Sequence, residues 1–149
     1  MVEQKTFIMY INEVKSQDQA LCHLFFHCCF KDGEFNDPEK TDVSERLVEA
    51  GLYKHLNFKE EIQKYQSYKS EIFDEDAYLD FLIKMITPVN GIALYSYCVE
   101  LVFSDSSLSQ GEENLLEKIA GILEVNDSEQ AIIKKLMAQR KVVKTEKIF

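Results

Sequence analysis

The sequence predicts an all-α fold: a single-domain helical bundle of seven or eight helices built from an internal duplication. Three observations lead there. Only 5 Gly and 2 Pro occur in 149 residues, while Phe and Tyr are plentiful, a balance that favours long helices over a sandwich with many hairpins. Apolar residues recur at helical spacing along most of the chain. An apolar stretch followed by an acidic turn and a glutamate occurs twice, so that Ala20 aligns with Ala93, Phe30 with Phe103, Asp32 with Asp105, Phe35 with Leu108 and Glu39 with Glu112.

The helices can be placed in order. Phe7, Ile8, Ile11 and Val14 have amphipathic spacing, which predicts a first helix ending near Lys15. The next runs from about Asp18 to Lys31 and is apolar nearly all the way round, as a central helix is. After Asp32-Gly33, a third begins near Asn36 to Pro38, with proline tolerated in its first turn, and stops at Gly51. Asn57 to Ile72 carries Phe58, Ile62 and Tyr65 on one side and charge elsewhere, the pattern of a surface helix. Asp74-Glu75-Asp76 caps a helix that reaches Thr87-Pro88, where proline imposes a boundary or a kink. The second apolar helix runs to about Ser104. Another, Ser109 to about Glu124, packs through Leu115, Leu116, Ile119 and Ile122 or Leu123. Asp127 with Gln130 opens the last, whose inner face is Ile132, Ile133, Leu136 and Met137. The repeat halves span about 18–56 and 91–126, a basic tail covers about 138–149, and no linker long enough to separate domains intervenes.

A chain of this length buries roughly two-thirds of its unfolded surface without a disulfide staple. Its net charge is −9, yet residues 134–149 hold six bases against one acid, Glu146. The acidic body disfavours nucleic acid and anionic lipid and suits cations or a basic protein partner; the tail reads as solvated surface. Cys22, Cys28, Cys29 and Cys98 sit in apolar segments with no CxxC pair, which predicts reduced core thiols. Neither a signal pattern nor an apolar run long enough to span a bilayer occurs, so a cytoplasmic protein without membrane insertion is expected.

The acidic turns admit two readings. Ser109-x-x-Glu112 is a capping box and Asn36-x-x-Glu39 its aligned equivalent, so both glutamates have a structural role as helix starters. The aspartates are different. Each stands at the end of an apolar helix, where the dipole disfavours negative charge, and a hard cation such as calcium or magnesium, which takes several oxygen ligands, would offset that. The turns lack the Asp-x-Asp-x-Asp-Gly series of a full EF-hand loop.

Cys28-Cys29-Phe30-Lys31-Asp32-Gly33-Glu34-Phe35-Asn36-Asp37-Pro38-Glu39 resembles the pattern of the tellurite-resistance TerB-like domain family, and Val102 to Glu112 resembles its second occurrence, with Ser106 where the first copy has Gly33. That resemblance implies a non-enzymatic all-helical module in stress response. It also implies acidic positions proposed for divalent metal, which fall on Asp32, Glu39, Asp105 and Glu112. The first turn, with its glycine, fits the pattern better. The alternative is a metal-independent scaffold that holds a protein partner through its acidic surface.

Other chemistry is weaker. His23 and His27, at i and i+4 with Cys28 beside them, have the residue types zinc takes, but the metalloprotease glutamate between them is absent and half-buried core histidines are the commoner case. No phosphate loop, nucleophile elbow or dinucleotide fingerprint occurs, and an enzyme is not expected.

Overall fold

Among the described residues, helix starts are signed by a short polar side chain that accepts from the backbone amide three residues on. Asn57 accepts from the Glu60 amide, Asp74 from Ala77 and Asn90 from Ala93, which satisfies donors that the first helical turn leaves without partners. The computed structural model describes residues 9–30, 41, 43–45, 56–103 and 108–146. Seven helices with complete bounds are α1 (Met9–Glu13), α2 (Gln17–Phe30), α3 (Phe58–Tyr68), α4 (Glu75–Ile86), α5 (Gly91–Val102), α6 (Gln110–Leu123) and α7 (Asp127–Glu146). A 3₁₀ turn, Lys69–Glu71, follows α3. Among the described residues there is no strand, and the all-helical expectation is met.

The chain divides into two compact units, residues 1–87 and 88–149, which separate the two aligned repeat halves. In the first, α2 is the central element: from Ala20 to Cys28 every side chain is buried, and Phe30 with them. It packs chiefly on α4 and also on α3, while α1 packs on α3. Full burial of a Leu or Phe contributes roughly 1.5–3 kcal/mol each, and Leu24, Phe25, Phe26 and Phe30 all reach 0% exposure. The start of α2 is tied to the end of α4 by Gln17 Nε2 donating to the Ile86 carbonyl at 2.6 Å. The helix α4 stops there because Thr87 takes a left-handed conformation (φ 48°) ahead of Pro88, the boundary that proline predicts.

In the second unit α5 packs on α6 and α7. Gly91 permits a close approach to the end of α6, since a Cβ at that position would lie 3.3 Å from the Leu123 carbonyl oxygen. Buried Leu115, Leu116, Ile119 and Ala120 form the inner face of α6, and an ion pair of 3.2 Å joins Arg140 of α7 to Glu100 of α5.

Four expectations are corrected. Of the apolar face expected for the first helix, Val14 is buried, Ile11 is 43% exposed with Tyr10 buried beside it, and Phe7 and Ile8 lie outside the described residues. The helix α3 is more than a surface helix: Glu61, Tyr65 and Tyr68 are buried whereas Phe58 and Ile62 stay half-buried, so its inner face carries a carboxylate that pattern reading assigns to solvent. The last helix starts one residue earlier in register, because Asn126 and Glu129 exchange the capping bonds at 2.9 and 3.3 Å while Gln130 reaches the Val125 carbonyl. On α7 itself, Ile132 and Leu136 face outward at 61% and 56% exposure, and Ile133 and Met137 are half-buried.

Candidate functional site

Of the four acidic residues singled out by the sequence, Asp32, Glu39 and Asp105 lie outside the described residues. Glu112 is described, and it stands at the third position of α6. Its Oε1 accepts from the Ser109 amide at 2.8 Å while Ser109 Oγ accepts from the Glu112 amide at 3.1 Å. The capping box read from the sequence is therefore formed. Among the described residues no group of three or more His, Cys, Asp or Glu side chains is arranged to hold a metal ion.

The described polar chemistry is concentrated inside the first unit, around the two histidines of α2. His23 Nε2 lies 2.8 Å from Glu61 Oε1 and His23 Nδ1 2.5 Å from the Tyr68 hydroxyl. One turn on, His27 Nε2 lies 2.7 Å from Glu75 Oε2 and His27 Nδ1 2.8 Å from the Tyr65 hydroxyl. Each histidine thus sits between a carboxylate and a phenol. The i, i+4 spacing on α2 is met by Tyr65 and Tyr68 at i, i+3 on α3, so the two sets stack along the same helix pair. Tyr68 OH is also 2.6 Å from Tyr78 OH on α4. With both ring nitrogens of each histidine engaged by glutamate and tyrosine, the zinc arrangement of His23, His27 and Cys28 has no free nitrogen to offer.

Glu61 is the buried carboxylate of the His23 set. Burial pushes its carboxyl up, but the hydrogen bond and charge of His23, the Gln19 amide group and Lys64 together hold it below the ordinary glutamate range. Gln19 Nε2 approaches both carboxylate oxygens at 3.3 Å and Lys64 Nζ lies 3.4 Å away at the rim. An ionised carboxylate only accepts, which fixes Nε2 of His23 as a donor toward Glu61 and leaves Nδ1 to the Tyr68 hydroxyl. The three phenols keep their protons, since burial pushes the ionisation of Tyr65, Tyr68 and Tyr78 strongly upward.

Sequence reading missed this cluster although part of its signal is present. Two histidines at i, i+4 were visible, but Glu61 and Tyr68 gain their meaning only when α3 is laid against α2. No periodicity shows which charged residue of a mostly polar helix turns inward.

The family model described as "Tellurite resistance protein TerB" matches residues 18–135. An all-helical module of that class is what the helices above define, and the chain belongs to the TerB family. Comparison with curated proteins and with solved structures gave no significant match. The resemblance read from the acidic segments and the family assignment agree.

Proposed function

We propose that the chain is a non-enzymatic TerB-family module that takes a divalent cation, calcium or magnesium, at its acidic turns and acts in a stress response. The observation that carries the reading is positional. Asp32 and Asp105 each stand two residues beyond the buried phenylalanine that closes an apolar helix, Phe30 of α2 and Phe103 after α5, and both lie inside the matched stretch 18–135. Carbonyl-rich helix ends disfavour a carboxylate unless a cation joins it. Asp32 with Glu39 is the primary pair; Asp105 is secondary, and Glu112 contributes least because its carboxylate already closes the α6 capping box.

Thermal unfolding with and without millimolar calcium or magnesium tests the reading. The melting temperature rises, and the rise disappears in Asp32→Asn combined with Asp105→Asn. A melting temperature indifferent to either ion removes the metal from the proposal and leaves the alternative, a metal-independent scaffold whose acidic surface holds a protein partner.

A further inference from the structure

The helix α7 carries apolar side chains on two sides. Ile133 and Met137 are half-buried, and α7 packs on α5. Ile132 and Leu136, one turn apart, face outward at 61% and 56% exposure. From Asp127 to Arg140 no side chain of α7 is buried, so a helix of 20 residues, about 30 Å long, leaves its outer side uncovered.

The charges beside the exposed pair decide what can cover it. At about 100° per residue, Glu129 and Arg140 lie about 40° and 60° to one side of the line joining Ile132 and Leu136, and Lys135 lies about 80° to the other. An acid and a base at opposite ends of the same edge disfavour a partner of one sign. An anionic membrane or an acidic peptide that suits Arg140 meets Glu129 with like charge, and the whole chain, at −9, repels both. A second α7 laid antiparallel satisfies both signs. With Ile132 of one copy on Leu136 of the other, and the reverse, the contact is isologous about a two-fold axis. Glu129 then falls within one residue of Arg140 of the second copy, and the pair forms twice.

We propose that the outer face of α7 is a self-association surface, through which two copies of the chain pair with Ile132 and Leu136 as the apolar seam and Glu129 against Arg140 of the second copy at its edge. Both charged groups have capacity for the contact. Arg140 Nη1 holds Glu100 at 3.2 Å while its side chain stays 57% exposed, and a guanidinium has five donors. Glu129 Oε1 accepts from the Asn126 amide at 3.3 Å, and a carboxylate accepts at several sites. Exposed Lys135 comes near its own counterpart at the two-fold axis, a like-charge approach that solvent and salt screen. One helix pair lies at the small end of interface sizes, below roughly 1,200 Å², so the dimer is a weak one, micromolar or looser in Kd.

Sedimentation velocity of the full chain from micromolar to millimolar concentration tests this, with chelator present so that the outcome is independent of the metal reading. A concentration-dependent shift from monomer to dimer is expected. Ile132→Gln with Leu136→Gln keeps good helix formers on α7 and weakens the dimer at least tenfold, with circular dichroism checking the fold. Glu129→Arg and Arg140→Glu each weaken it, and the two together restore it, because the swap rebuilds both pairs only in the antiparallel arrangement. A chain that stays monomeric at millimolar concentration overturns the proposal, including one whose α7 instead binds anionic vesicles or an acidic peptide. So does a dimer that the glutamine pair leaves unchanged, or one that the double swap does not restore.

Discussion

The buried phenols of this protein differ in what their hydroxyls meet, and substitution should separate them. Tyr68 OH is hydrogen-bonded both to His23 Nδ1 and to Tyr78 OH, so Tyr68→Phe takes a partner from two buried groups; Tyr78→Phe takes one from Tyr68 alone. Two orphaned buried groups at about 1–3 kcal/mol each make Tyr68→Phe the more costly change in urea unfolding. Tyr95 is the opposite case. Its hydroxyl is buried with no hydrogen-bond partner among the described residues, and burial pushes its ionisation up to about 12. Tyr95→Phe should therefore be neutral or stabilising by about 1 kcal/mol in the same assay. For Glu61, the folded carboxyl lies below its unfolded value. The stability it contributes is present above the ordinary glutamate range and is lost as pH falls through the folded value. The acid limb of the stability curve should flatten in Glu61→Gln, and an unchanged limb would contradict the ionised assignment. At this scale the sequence shows the residue types but not their pairing, because His23 and Glu61 are 38 positions apart.

Helices report their own boundaries more faithfully than their faces. The caps at Asp74 and Ser109 fall where short polar residues announce them, since capping is a contact within one turn. Ser109→Ala should cost about 1 kcal/mol in thermal or urea unfolding through loss of the bond to the Glu112 amide. The end of α6 is less favourable: Glu124 sits at φ 59° and ψ 39° as the C-cap, accepted because its amide reaches the Ala120 and Gly121 carbonyls. That conformation costs a non-glycine residue about 1–2 kcal/mol, so Glu124→Gly should raise stability, read as a higher melting temperature. The faces of α1, α3 and α7 were harder to assign. Ile11, Ile132 and Leu136 carry the hydrophobic pattern yet are exposed, and Glu61 breaks it yet is buried. The pattern measures how apolar a side is, while burial depends on which neighbour arrives there.

Across the whole chain, 26 acids against 17 bases give a charge of −9, and cation binding at the acidic turns is the property this would support. An ion present at 100 times its dissociation constant stabilises the folded state by about 2.7 kcal/mol, which for a chain of this size moves the melting temperature by roughly 2–4 °C per kcal/mol. Differential scanning calorimetry in chelator and then in excess calcium or magnesium should show that rise. The sequence by itself determined the helical class, the central place of α2, the stop at Thr87-Pro88, the capping box of α6 and the family resemblance. All of these rest on local propensity, short-range hydrogen bonds or residue order, which the chain carries without folding. Only the tertiary structure decided that a glutamate of a charged helix lies buried against a histidine, that two histidines of an apolar helix each join a carboxylate to a phenol, and that the Tyr78 and Tyr68 hydroxyls lead in line to His23. A buried polar group is stable only with its partners in place, and those partners come from separate helices that packing alone brings together.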